Sequence, residues 1–346
     1  MSFDPNGPAS PDSGVFGLQH SEADAAVVLV PVPWEVTTSY GGGTSNGPAA
    51  ILNASRQVDL YDLDVERPYE PGVHMLAESA QVRAWNEEGR ALAQRVIAVG
   101  GVISDDALAD ALARVNALGV RLNDYVDAET ERLLAAGKIV GVVGGDHSVP
   151  FGAIAATARR RPGIGVLHFD AHADLRRAYE GFNYSHASIM DNVLEKIPGV
   201  SRLVQVGIRD VCEEEIATMR RHGERVKVLF DRDIAMRRLA GESFAQVIRG
   251  AVAALPAEVW VSFDIDGLDP RLCPHTGTPV PGGLDFHEAV FVLREVVRAG
   301  RRIVGFDLNE VAPGPEGDEW DGNVGARVLY KLMGFMLASQ GLARLL

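Results

Sequence analysis

The chain has 346 residues, 47% of them hydrophobic and 23% charged, so it is long enough and apolar enough to bury a large core. Its 33 Lys and Arg against 47 Asp and Glu leave a net charge of −14, with no cationic cluster of the kind a nucleic acid or an anionic membrane requires. Cys212 and Cys273 are too few for a disulfide framework, and no apolar run reaches the roughly 20 residues that span a bilayer.

Residues 1–24, with Asp4, Pro5, Asn6, Gly7, Pro8 and Pro11, read as a flexible N-terminal arm. The first Lys or Arg is Arg56, so no cationic leader is visible and the expected compartment is the cytoplasm. From Ala25 onward, short apolar runs rich in β-branched residues alternate with amphipathic segments. The runs are 25–32, 138–143, 164–169, 203–208, 226–230, 259–263 and 302–306. Helical spacing marks 107–136, 213–221, 244–254 and 285–299, while 67–77, with Pro68, Pro71 and Gly72, reads as a loop. Such alternation predicts an α/β protein, a three-layer α/β/α stack around a central, mostly parallel sheet, with 25–346 as one domain.

In an open parallel sheet ligands bind beyond the carboxyl ends of the strands. Four runs end in polar strings there: GGDHS (144–148), DAHAD (170–174), DID (264–266) and DLNE (307–310). Alternation in an extended chain puts Asp170, His172 and Asp174 on one side, and Asp264 with Asp266. With His147 these residues make two imidazoles and four carboxylates, a set whose mutual repulsion calls for cations. Oxygen and imidazole donors without thiolate suit two divalent ions, Mn²⁺ first and Ni²⁺ or Zn²⁺ as alternatives. The two ions, about 3.5–4 Å apart, would share carboxylates and lower the pKa of a water between them. A single Asp-x-Asp after a strand is usually a turn or a cap, but three such strings on three strands are poorly explained that way.

GGDHS, HFDAHADLR (168–176), SFDIDGLDP (262–270), GTPVPGG (277–283) and DLNEVAP (307–313) together resemble the ureohydrolase family of arginases, agmatinases, guanidinobutyrases and formimidoylglutamases, in the same order over about 25–340. The resemblance implies an arginase-like fold and an enzyme that hydrolyses linear amidine C–N bonds, most like an agmatinase. It implies that His147, Asp170, Asp174 and Asp264 bind one metal ion and Asp170, His172, Asp264 and Asp266 the other. Glu310 matches the carboxylate that pairs with the guanidinium, His186 a loop histidine that moves protons, and Asp174 the group that orients the nucleophile. It further implies a small cationic guanidino substrate and a homo-oligomer, trimeric or hexameric.

Substrate choice is less explicit. Arg176, directly after the metal string, resembles the formimidoylglutamase branch and suits a carboxylate, whereas GTP at 277–279 resembles the guanidino-cleaving branches. His275 departs from the small residue expected before that turn, and 179–185 is aromatic enough to shorten a pocket toward guanidine itself. Guanidine or a guanidino acid is therefore the alternative substrate, with formimidoylglutamate and arginine behind; a silent metal-binding subunit is the non-enzyme reading. GGGTSNGP (41–48) looks like a phosphate loop but lacks the Gly-Lys-Ser/Thr ending. His168 reads as a supporting residue, Asp146 as either an orienter of His147 or a helix cap, and Arg209 as a tie between loops or a substrate contact.

Overall fold

The computed structural model describes residues 4–346. Its strands are β1 (Val27–Val32), β2 (Val65–Glu66), β3 (Val73–Met75), β4 (Ile139–Gly144), β5 (Ile164–Phe169), β6 (Val200–Ile208), β7 (Val226–Phe230), β8 (Glu258–Asp264), β9 (Arg302–Asn309) and β10 (Arg344–Leu345). Its helices are α1 (Gly47–Ser55), α2 (Ala80–Ile97), α3 (Asp106–Ala135), α4 (Phe151–Arg160), α5 (Ile189–Lys196), α6 (Glu213–His222), α7 (Asp231–Leu239), α8 (Phe244–Ala254), α9 (Phe286–Arg298) and α10 (Trp320–Ser339). Eight strands form one parallel sheet in the order β3-β1-β4-β9-β8-β5-β6-β7, and β2 and β10 pair separately, antiparallel.

The helices lie on both faces, because runs such as Val27–Val32 and Ile164–Phe169 are buried throughout and need cover on each side. One core contains residues of α1, α8, α9 and α10, the other residues of α2 to α5. Helix starts follow local chemistry. The Asp105 carboxylate caps α3 by accepting from the Leu108 amide, and Ser243 with Gln246 and Asp285 with Glu288 form capping boxes at α8 and α9.

The strand order decides where the polar strings meet. The chain lays down β4, moves three places along the sheet to β5, continues outward to β7, and returns to insert β8 and β9 between β5 and β4. Thus β4, β9, β8 and β5, which carry the four strings, are consecutive neighbours. Their ends are in register, with Phe169 opposite Phe263, Asp264 opposite Asn309 and Val143 opposite Leu308. All seven runs are strands; the segment read as a loop also holds β3, an edge strand pairing Val73 with Val27. Of the residues read as an arm, Val15, Phe16 and Leu18 are buried, and the Phe16 ring packs edge-on against Tyr330 at 4.8 Å.

Candidate metal centre

The loop leaving β4 turns sharply on two glycines. A Cβ at Gly145 would run into the Trp34 carbonyl oxygen and one at Gly144 into the Asn309 side chain, so both positions exclude any larger residue. The approach fixes the next residues: the Asp146 amide donates to Trp34 O at 2.7 Å and the Glu310 amide to Gly145 O at 2.7 Å. Asp146 Oδ1 accepts from the Ser148 amide (3.0 Å) and hydroxyl (2.5 Å), a turn before α4, and its Oδ2 lies 3.5 Å from the Thr37 hydroxyl. Burial raises its carboxyl to about 6 despite the Ser148 bonds.

His147 points into the strand ends. Its Nδ1 lies 3.0 Å from Asp170 Oδ2, 3.3 Å from Asp174 Oδ2 and 3.2 Å from Asp264 Oδ2. Its Nε2 is 2.9 Å from the Ser262 hydroxyl, which donates to Asp307 Oδ1 at 2.8 Å. With Nε2 turned to Ser262, Nδ1 is the nitrogen that faces the three carboxylates, and it would bind a metal there once its proton is given up. Asp307 is fully buried, held by Trp260 Nε1 and Asn309 Nδ2, each at 2.5 Å, and by Ser262, with His147 Nε2 3.7 Å from its Oδ1.

A second group stands beside the first. His172 Nδ1 is 3.4 Å from Asp170 Oδ1 and 3.1 Å from Asp266 Oδ2, so Asp170 faces both imidazoles with different oxygens. The structure thus gathers His147, His168, Asp170 and Asp174 in one cluster with metal-ligand spacing and Asp170, His172 and Asp266 in the other. Asp264 approaches the first through Oδ2 and accepts the Asp266 amide on Oδ1 at 2.8 Å.

His168, weighed from sequence only as support, is fully buried with Nε2 2.8 Å from Asp170 Oδ2 and Nδ1 2.9 Å from Gln205 Nε2. Donation at Nε2 and acceptance at Nδ1 make it a neutral prop for Asp170, and burial holds its pKa below the usual histidine range. Arg209 is a tie between loops. Its guanidinium donates to the carbonyls of Gly207, Asp266, Leu268 and Val280.

Electrostatics show what the clusters demand. Burial opposes charge on both histidines, yet the carboxylates outweigh it and hold His147 well above its ordinary value and His172 up to about 12. Burial, then the Asp170 charge, push Asp174 up to about 7, and burial with Asp266 and Asp170 raises Asp264 well above the carboxylate range. The cluster takes up protons because it is rich in buried negative charge, and divalent cations satisfy the same demand. Buried oxygen and imidazole donors in two adjoining groups sharing Asp170 fit such ions.

Glu310 closes the site. Its Oε1 accepts the His147 amide at 2.9 Å, while its buried Oε2 has no hydrogen-bond partner among the described residues. Burial, then the Asp146 charge, push this carboxyl well above its ordinary range. Glu310 and Asp174 have left-handed backbone, φ 63° and 54°, which costs a non-glycine residue roughly 1–2 kcal/mol and persists where neighbours over-determine it.

His186, expected on an exposed loop, is instead half-buried. Its amide donates to the Thr37 hydroxyl at 3.2 Å, its Nδ1 lies 3.4 Å from that oxygen, and Tyr179 stands edge-on at 6.1 Å. Burial, then the charge of His172, lower its pKa to about 4. The Arg176 guanidinium lies over the Tyr179 ring at 4.9 Å and makes no ion pair among the described residues. In the 41–48 loop the amides of Gly43 and Ser45 donate to Glu35 Oε2, so a carboxylate of the chain itself fills the place a phosphate would take.

The Arginase family profile matches residues 25–334. The chain is 32% identical over 324 residues to the N(1)-aminopropylagmatine ureohydrolase of Synechocystis, covering 92% of each chain. It is 34% identical over 302 residues to the protein of the same name from Thermus thermophilus, covering 86% of this chain and 87% of that one. The fold superposes with a TM-score of 0.71 on a crystal structure of a hypothetical agmatinase from Burkholderia thailandensis, at 21% identity over 95% of this chain and 91% of that one.

Proposed function

Since the chain belongs to the arginase family, hydrolases that release urea from guanidino compounds, we propose that it cleaves an agmatine-type substrate, a guanidino group on a cationic amine tail. The observation that carries this reading is the unpartnered Oε2 of Glu310. An apolar substrate would leave that charge buried and unpaired, whereas a planar cation offers it N–H donors.

His147, Asp170, Asp174 and Asp264 would hold one ion and Asp170, His172, Asp264 and Asp266 the other, with Asp170 and Asp264 shared. Mn²⁺ suits these donors best and Ni²⁺ next. When bound, the ions neutralise the carboxylates and make water acidic enough to attack near neutral pH. Glu310 orients the guanidino carbon, and the bond from Oε1 to the His147 amide fixes its carboxylate plane. Asp174 accepts a hydrogen bond from the attacking water and sets its direction. Water adds to the trigonal carbon and gives up a proton, the C–N bond to the tail breaks, and the departing amine takes up that proton. His186, neutral at pH 7 and braced at Nδ1 by Thr37, exchanges that proton at Nε2.

The tail assignment is supported by the two relatives named for aminopropylagmatine. A second reading, a guanidino acid, is favoured by the Arg176 guanidinium, stacked on Tyr179 beside His186 and free to take a carboxylate. Protein loaded with Mn²⁺ or Ni²⁺ is assayed for urea, ammonia or formamide over agmatine, aminopropylagmatine, arginine, guanidinobutyrate, guanidine and formimidoylglutamate. The highest kcat/KM on a cationic-tailed compound supports the first reading. A preference for guanidinobutyrate that Arg176→Ala abolishes replaces it with the second. Turnover that survives complete metal removal overturns both.

A further inference from the structure

The turn 275–278 touches the centre twice within three residues. The Thr276 hydroxyl donates to the Glu310 carbonyl at 2.8 Å, and the Thr278 hydroxyl to Asp266 Oδ2 at 3.3 Å. Between them Gly277 borders the site, where a Cβ would lie in ordinary contact, 3.4 Å, with both Glu310 Oε2 and Thr38 Cγ2. The segment is a strap lying against Glu310 and Asp266, and it is tied down at both ends. At the far end Arg209 donates twice to the Val280 carbonyl, at 3.1 and 3.0 Å. At the near end stands His275, where the family resemblance calls for a small residue.

His275 is held by a two-point clamp. Asp321, on the first turn of α10 and 1% exposed, accepts the His275 amide on Oδ1 at 3.0 Å and its Nδ1 on Oδ2 at 2.8 Å. The other edge of the imidazole lies 4.0 Å from Asp318, and Gly314 packs flat against the ring, where a Cβ would come within 2.8 Å of Cε1. Neither His275 nor Asp321 contacts the metal clusters, yet together they fix the backbone one residue before Thr276.

We infer that His275 and Asp321 are positioning residues for the guanidinium site: their clamp sets the strap whose Thr276 hydroxyl holds Glu310 in its left-handed conformation. The inference rests on the proposed pairing of Glu310 with the substrate's guanidinium. Three bonds keep Glu310 in place, from its amide to Gly145, from the His147 amide to Oε1, and from Thr276 to its carbonyl. The first two come from the loop that leaves β4 beside β9, and only the third comes from the strap. Releasing the clamp frees that bond while leaving the metal ligands, on strand ends and the loops that follow them, where they are.

The test compares wild type, His275→Ala, His275→Asn, Asp321→Asn and Glu310→Gln in the metal-loaded protein. It records kcat and KM, bound metal by elemental analysis, and the dissociation constant of guanidinium as probe. His275→Ala is expected to lower kcat/KM roughly 10- to 100-fold, mostly through KM, with guanidinium binding weakened in parallel and metal content unchanged. In His275→Asn the side-chain amide can replace the Nδ1–H donor to Asp321, and activity returns to within about threefold of wild type. Asp321→Asn keeps the size of Asp321 but weakens both bonds, so it resembles His275→Ala. Unchanged KM in both clamp variants overturns the inference, as does loss of activity in step with loss of metal, or an Asn variant no better than the Ala one. Should Glu310→Gln itself retain wild-type kinetics, the reading of Glu310 fails instead.

Discussion

Replacing Glu310 by Gln separates the function of its carboxylate from its cost. Gln preserves the length, the left-handed backbone and an oxygen for the His147 amide now bonded at 2.9 Å. What it removes is the charge and the one oxygen with no partner, setting an NH₂ donor against a guanidinium that also only donates. A charge-assisted hydrogen bond contributes about 1.5–3 kcal/mol, and stranding one member of a buried ion pair raises the loss to about 3–5 kcal/mol. At 1.4 kcal/mol per decade, kcat/KM for urea release falls roughly 10²- to 10³-fold. The stability effect has the opposite sign. Burial holds the Glu310 carboxyl well above its ordinary range, so its ionised form opposes folding at neutral pH, and the neutral amide removes that opposition. The ligand-free variant should therefore melt at or above the wild-type temperature while turning over far more slowly. Steady-state urea release, scanning calorimetry and metal content on one preparation check this. A variant within threefold of wild-type kcat/KM, or one that is inactive because it melts early, would refute the reasoning.

Ser262→Ala removes the hydroxyl between His147 Nε2 and Asp307, so His147 loses the support that fixes its ring orientation; metal affinity should fall roughly 10- to 100-fold in a chelator competition, with the fold retained. Gly145→Ala drives a methyl group into the Trp34 carbonyl and moves the backbone of both Asp146 and Glu310, so circular dichroism should show a lower Tm together with loss of activity. His186 has a folded pKa of about 4 against about 6.5 unfolded, so its contribution to stability is complete above pH 6.5 and is lost as the pH falls toward 4. His186→Asn should accordingly flatten the decline in stability between pH 6.5 and 4 in urea titrations. Bound dications repel a proton on His186 in the same sense as His172, so the metal-loaded protein should keep that slope. Chelation should lower the Tm and re-addition of Mn²⁺ restore it, by about 4 kcal/mol at a thousandfold excess over the dissociation constant.

Strands were legible as short apolar runs: β5 and β7 coincide with the runs 164–169 and 226–230 to the residue, β5 buried throughout and β7 only in part at the sheet edge. The six residues proposed as metal ligands stood out in sequence because they follow strands that end together, but the pleat does not gather them: Asp266 stands on a 3-10 turn, Ile265–Gly267, and Asp174 has left-handed backbone. Less visible was anything that depends on chain crossing. β3 has only three residues, too few to show a period, and exists because β1 offers it an edge. Asp307 reads in sequence as one more acid of DLNE, although the fold turns it away from the metal clusters toward Trp260, Ser262 and Asn309. Ser262 and Gln205 carry no local signal, since their partners lie 45 and 37 residues away. His186 looked like a surface histidine because the Thr37 that covers it comes 149 residues earlier.

The departures from easy folding are concentrated in one place. Asp174 and Glu310 adopt left-handed backbone, Asp146 and Glu310 are buried carboxylates with no ion pair among the described residues, and two glycines bring β4 against Trp34 and Asn309. Each opposes folding, and each is held by neighbours on at least two sides. The contacts of Gly145 and Asp146 with Trp34 need only β1 beside β4, but those of Glu310 and Asn309 require β9, which inserts late in sequence between β4 and β8. The negative charge that suits a guanidinium and two dications is therefore assembled by long-range closure, and no local segment has to carry it alone. Cations that bind only the closed sheet relieve its repulsion and stabilise the same closure, so folding and metal binding are one coupled equilibrium in this chain.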